Sequence, residues 1–270
     1  MTVTAERTAV RRIVVTLGAC DAGRQALETT VRLAAILRAE LEGIFIEDIN
    51  LIRLAELPFL RELRPWSRAE EALNGQRMQR ELRAMARHAE LLLRQLASEM
   101  GVNWSFRVWR GLPAAESLLK TFEADVLSLG RVGSLGTGWA RPPARPGAWQ
   151  ARPGGPSISV LFSGSEQAER ALATARQLAQ DLGARLTVLL PETETAATAD
   201  LQMQAAALLQ PPMPQARYVI IALPDAPALA RAVTAAGDAV LITEAGHPVL
   251  QRGGLDRCLE TLPCPLLLVR

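Results

Sequence analysis

The residues equipped for covalent or metal chemistry are few. There are two histidines, His88 and His247, and three cysteines, Cys20, Cys258 and Cys264. They form no close cluster in the sequence, which argues against a zinc site. Cys258 and Cys264 stand six apart without partners and read as buried structural thiols. Lys120 is the only lysine, so a phosphate loop ending in Gly-Lys-Ser/Thr is absent. No nucleophile stands with an adjacent base; no catalytic residue is assigned, and an enzyme is not expected. One stretch interleaves basic and aromatic side chains as a grip on single-stranded nucleic acid does. It is 131–156, where Arg131, Arg141, Arg145 and Arg152 alternate with Trp139 and Trp149. Its glycines and prolines, and its lack of acid, read instead as an extended linker. The net charge of +2 gives no general affinity for nucleic acid.

The elements that must position any site are organised around Ile158–Leu190. A short apolar run, Ile158 to Phe162, reads as a buried strand. Ser163-Gly164-Ser165 turns the chain, and Glu166 places acid in the first turn of a helix. Apolar residues recur at Ala168, Ala171, Leu172, Ala175, Leu178, Ala179 and Leu182 with helical spacing. Gly183 ends that helix, and Arg185–Leu190 is a branched, strand-forming run. The same strand–helix–strand unit occurs 145 residues earlier, where Ile13–Phe45 overlies it without a gap and ten of 33 positions are identical. A second echo places Asp125–Gly133 over Asp238–Gly246. The chain therefore reads as two copies of one α/β unit.

In the first copy the strands are expected at Arg11–Leu17, Leu41–Ile46, Trp104–Trp109 and Asp125–Leu129, with Cys20 or Asp21 capping the helix that runs to Ala39. Glu47–Trp66, absent from the second copy, holds nine large apolar residues. It is either a lid on its own domain or a surface for another chain. Arg68–Met100 reads as one long helix with an apolar stripe of Leu82, Met85, Ala89, Leu92, Leu96 and Met100. Arg77/Glu81 and Glu90/Arg94 are ion pairs on its wet side. A helix over Leu112–Glu123 follows, with Pro113 at its start. No fifth strand is visible before the linker, so the first copy should be one strand short, leaving an edge that needs cover. The second copy continues with a helix in Glu192–Gln210, a strand Arg217–Leu223, a helix Pro227–Ala236 and a strand Ala239–Thr243. A short helix opens at Gly253-Gly254, and Pro263–Arg270 holds the last strand. Alternating strands and helices imply right-handed parallel crossovers with helices on both faces.

The length suits two domains: 1–138 with a long helical insertion at 47–100, a linker at 139–156, and 157–270. They are expected to pack as an intramolecular pair. No apolar run is long enough for a membrane span, the first residues lack a secretory core, and the cysteines form no disulfide framework. A cytoplasmic location is the expectation.

Ser163–Leu172 (SGSEQAERAL), Asp238–Gly246 (DAVLITEAG), Gly253-Gly254 and Cys264–Arg270 (CPLLLVR) together resemble the universal stress protein family, and the resemblance covers both halves. It implies an α/β fold of two doubly wound parallel-sheet domains in tandem, adenine nucleotide alpha hydrolase-like. In ATP-binding members an Asp closing the first strand holds adenine, and Gly-x2-Gly-x9-Gly-Ser/Thr after the fourth strand cradles the phosphates. Here the Asp position is Gly18 in the first half and Ser163 in the second. Gly130 and Gly133 keep two glycines, and Ser134 adds a hydroxyl, but Pro143 stands nine residues beyond. In the second half Thr243 takes the first glycine position, Gly246 is kept, and Gly253-Gly254 arrives early. A surviving site would use Gly130, Arg131, Gly133 and Ser134 for phosphate with Ile46 beside the base; alternatively those glycines only turn the chain. The family's other branch binds no ATP and acts through dimerisation and partner contacts. The expectation is therefore a non-catalytic regulatory or interaction protein without a cofactor, forming a homo-oligomer or meeting a protein partner through 47–100. The alternative is a stress sensor binding ATP or AMP.

Overall fold

The computed structural model describes residues 10–18, 23–57, 61–63, 70–72, 75–112, 114–130, 157–192, 194–210, 216–222, 225–237, 240–251 and 254–270. The first half runs β1 (Arg12–Leu17), α1 (Gly23–Leu37), β2 (Glu40–Asp48), α2 (Ile49–Ala55), β3 (Arg61–Leu63), β4 (Glu70–Ala72), α3 (Gly75–Glu99), β5 (Trp104–Gly111), α4 (Ala115–Thr121) and β6 (Val126–Leu129). The second runs β7 (Ser157–Leu161), α5 (Glu166–Leu182), β8 (Arg185–Pro191), α6 (Thr195–Leu208), β9 (Ala216–Ile221), α7 (Ala226–Ala236), β10 (Val240–Glu244), a 3-10 turn at Pro248–Leu250, α8 (Gly254–Thr261) and β11 (Leu266–Val269). The linker and the residues Cys20 and Asp21 lie outside the described residues.

Local chemistry accounts for the second-half helices. Ser165 caps α5, its Oγ accepting from the Ala168 N–H at 2.9 Å, and Glu166 and Glu169 sit in the first turn where the helix dipole favours acid. Gly183, at φ 59°, ends the helix in the left-handed conformation that glycine adopts without cost. Asp225 caps α7 in the same way, accepting from Ala228 N–H at 2.7 Å.

The 145-residue repeat carries through to strand register. Ile13 stands opposite Leu41 in β1–β2, and Ile158 opposite Leu186 in β7–β8. Each half has its strands in third–second–first–fourth order, as parallel crossovers dictate. The expected pair of separate sheets is not what forms. One nine-stranded sheet, ordered β5-β2-β1-β6-β11-β10-β7-β8-β9, runs through both halves. The missing fifth strand of the first half explains the join. β11 is the fifth strand of the second half, and it pairs antiparallel with the otherwise open edge of β6, Leu266 opposite Leu129 and Val269 opposite Val126. The seam is tied further by Arg270, whose N–H donates to Asp125 O at 3.0 Å and whose guanidinium donates to Leu119 O.

The cores are continuous as well. On one face α1, α3, α5 and α6 cover a single apolar cluster that includes Val15, Phe45, Leu93, Val160, Phe162, Leu178 and Ile242. On the other, α4, α7 and α8 cover Val14, Ile44, Leu118, Phe122, Leu241, Leu259 and Leu268. Each large side chain buried this way is worth about 1.5–3 kcal/mol.

Two details of the first half depart from the sequence reading. The long helix begins at Gly75, because Glu70–Ala72 pairs antiparallel with Arg61–Leu63 as a small hairpin. Its buried line is Leu82, Ala86, Leu93 and Ala97, with Met85, Ala89, Leu92, Leu96 and Met100 along the flank. Arg77 and Glu81 pair at 3.0 Å as expected, whereas Arg94 lies over the Trp104 ring rather than against Glu90. In the insertion, α2 packs on α3 and buries Ile52 and Ala55, so this part of the segment covers its own domain.

Candidate functional site at the strand switch points

In an open α/β sheet the binding crevice lies beyond the carboxyl ends of the strands where their order reverses. The chain has two such places, one between β1 and β6, one between β7 and β10. They are built from equivalent elements and filled differently.

At the first, Thr16 stands opposite Leu129, so Gly18 and Gly130 leave the sheet side by side. A Cβ placed on Gly18 would meet nothing within 4 Å, so the space there is open. Behind the crevice the polar groups satisfy one another. Thr30 Oγ1 donates to Ser128 Oγ at 2.6 Å, and Thr16 Oγ1 donates to the Ser128 carbonyl at 3.3 Å. Ile46 is buried in the α4-side core. Arg131, Gly133 and Ser134 lie outside the described residues.

At the second, register corrects the sequence alignment by one residue. Ile13 faces Val126, while the equivalent Ile158 faces Val240. The counterpart of Gly130 is therefore Glu244, not Thr243. Its side chain is buried at 5% exposure, and its carboxylate takes both hydroxyls of the β7–α5 turn. Ser163 Oγ donates to Oε1 at 2.5 Å, and Ser165 Oγ donates to Oε2. The turn itself is roofed by α6: a Cβ on Gly164, at φ 81°, would lie 2.6 Å from Leu201, and Gln204 bonds Glu169 at 2.8 Å. The crevice at this half is thus occupied by the protein's own carboxylate.

Beyond Glu244 the chain turns at Gly246. His247 is buried, and its Nδ1 accepts from the Val249 N–H at 3.2 Å. Burial lowers the imidazole pKa below its ordinary 6.5, with the nearby Glu244 charge pulling the other way. Gly254 is a glycine for a packing reason, since a Cβ there would stand 2.0 Å from the Val249 carbonyl oxygen. Gly253 lies outside the described residues. Among the described residues no group of three His, Cys, Asp or Glu side chains is placed to hold a metal, and no helix is long and apolar enough to cross a membrane.

Sequence reasoning named Gly18, Gly130, Ser163 and Gly246 and the structure puts all four at the two switch points, but it missed Glu244. The signal was present: matching Val126-Leu127 with Val240-Leu241, rather than Asp125 with Asp238, sets Gly130 over Glu244.

No family model and no curated protein matches this sequence. Solved structures do match. A universal stress protein from Archaeoglobus fulgidus DSM 4304 aligns over 96% of both chains with a TM-score of 0.56 at 10% identity. A putative universal stress protein from Pseudomonas aeruginosa UCBPP-PA14 aligns over 98% of this chain and 94% of its own, with a TM-score of 0.49 at 14% identity. The first of these likenesses establishes the fold: this is the doubly wound α/β arrangement of universal stress proteins, mixed here only at the β6–β11 seam.

Proposed function

We propose that the chain is a non-catalytic regulatory or interaction protein of the universal stress type, a tandem of two units with degenerate nucleotide sites. The observation that supports this is Glu244. A nucleotide would have to enter a crevice already filled by a carboxylate holding two hydroxyls. Its phosphates would then meet a fixed negative charge, a repulsion on the order of 4 kcal/mol at 4 Å in partly buried surroundings. Ser163 also supplies no carboxylate to read an adenine amino group. On this reading the protein needs no cofactor, works in the cytoplasm, and meets a homologous or unrelated protein through the 47–100 region, where Leu57 and Leu91 are exposed.

A second reading is favoured by one observation, the open space at Gly18 beside Gly130. There the first half would hold ATP or AMP with Gly130, Arg131, Gly133 and Ser134, and the protein would be a nucleotide sensor. Calorimetry with ATP, AMP and a cyclic dinucleotide separates the two. No heat of binding is expected at micromolar ligand. Micromolar ATP binding that Gly130→Val abolishes would establish the sensor instead.

A further inference from the structure

We propose that the free edge of β9, together with the outward side of α6, is a two-fold interface at which a second copy of this chain docks, extending the sheet strand to strand. This goes beyond the functional reading above and does not depend on nucleotide. The sheet has two ends, β5 and β9, and they are guarded differently. β5 carries Arg107 and Arg110, and Arg83 and Arg87 flank it across the shallow groove with Phe106 and Val108. Charge of one sign along an edge opposes pairing with its own copy. β9 carries a single charge, Arg217, in the sequence ARYVII.

The helix beside that edge is built unlike a solvated one. A surface helix ordinarily turns charged residues outward. In α6 the only charged side chain is Asp200, while Met203 is 64% and Leu208 38% exposed. Ile220 of β9 is 54% exposed. It shares strand parity with Ala216 and Tyr218, which pack into the α6-side core, so it faces the same side of the sheet as α6. The apolar surface therefore runs from the helix onto the edge strand.

Charge placement selects the occupant and its direction. The Glu192 N–H donates to the Ile221 carbonyl at 2.8 Å, which puts Glu192 at the carboxyl end of β9, and Arg217 stands near the amino end. Both are exposed. Antiparallel pairing about a two-fold axis brings each Arg217 to the second copy's Glu192. Head-to-tail pairing of β9 with β5 would instead bring Arg217 towards Arg107 and Arg110.

Sedimentation equilibrium of the full chain tests this, with circular dichroism and melting curves to show that each variant folds. A concentration-dependent dimer is expected. Ile220→Asp should weaken it by more than about tenfold, and Met203→Glu, on an already exposed helix position, should do the same without touching the core. Arg217→Glu should weaken it roughly threefold or more, and Arg217→Glu combined with Glu192→Arg should restore it. A chain monomeric at all concentrations overturns the proposal, as does a dimer indifferent to Met203→Glu and Ile220→Asp. A charge swap that fails to restore association overturns the antiparallel arrangement.

Discussion

Gly130 and Glu244 hold the same register position at the end of the fourth parallel strand in their respective halves. The first has no side chain, and the second has a buried carboxylate bonded to Ser163 and Ser165. Hydrogen bonds to a charged acceptor are worth about 1.5–3 kcal/mol each, and desolvating the carboxylate offsets part of this. Glu244→Ala should therefore cost about 2 kcal/mol, which lowers the melting temperature by roughly 4–8 °C in a chain of this size. Ser163→Ala should cost about half as much. A Glu244→Ala melting curve superimposable on that of the parent would show that the two hydroxyl contacts contribute nothing.

Gly18 and Gly254 both come from the resemblance to a nucleotide loop, but their surroundings predict opposite tolerance. Gly254→Ala drives a methyl into the Val249 carbonyl and should cost at least about 2 kcal/mol. Gly18→Ala enters open space and should be neutral, or stabilising by up to about 1 kcal/mol through the unfolded chain. Urea midpoints of the two variants, compared directly, decide whether the order is right.

His247 should make stability fall as the pH drops below 6.5. The unfolded chain takes up its proton near that value, whereas the folded imidazole, buried and accepting at Nδ1, resists protonation to a lower pH. The unfolded state then binds more protons, so stability rises with pH across this window. His247→Asn should flatten that part of the profile. Denaturant midpoints at about pH 7.5 and about pH 5.5 measure the slope, and an identical slope in the variant would assign it to other groups.

Cys258 should be inert in the native protein. Burial pushes its thiol up to about 11, with the Asp225 charge adding to the effect, so little thiolate exists at neutral pH. A disulfide exchange reagent should modify it only after denaturant unfolds the chain. Rapid native labelling at Cys258, located by peptide mapping, would contradict the burial.

Much of the fold was legible because periodicity is a local property. Ile158–Leu182 announces a strand, a cap and a helix in consecutive residues, and the repeat of Ile13–Phe45 over Ile158–Leu190 transfers that reading to the first half. The β6–β11 seam was legible only as a deficit, an edge without cover, because nothing local says which distant strand will supply it. The helix start slipped for a related reason: Glu70–Ala72 has no strand character of its own, and only pairing with Arg61–Leu63 makes it one. Glu244 was missed because a one-residue shift in alignment changes which face of the sheet a side chain meets. The conserved-looking aspartates at Asp125 and Asp238 anchored the comparison, while the buried parity of Val126 and Val240 carried the correct register.

The antiparallel seam also fixes an order of events during synthesis. β6 leaves the ribosome well before β11, and at about 5–20 residues per second the interval is on the order of ten seconds. Throughout that time the first half can lay down β5, β2, β1 and β6 but has an unpaired strand edge at what becomes the middle of the sheet. A newborn first half is therefore a sticky intermediate, and its exposed edge is the same one that the finished molecule hides most completely.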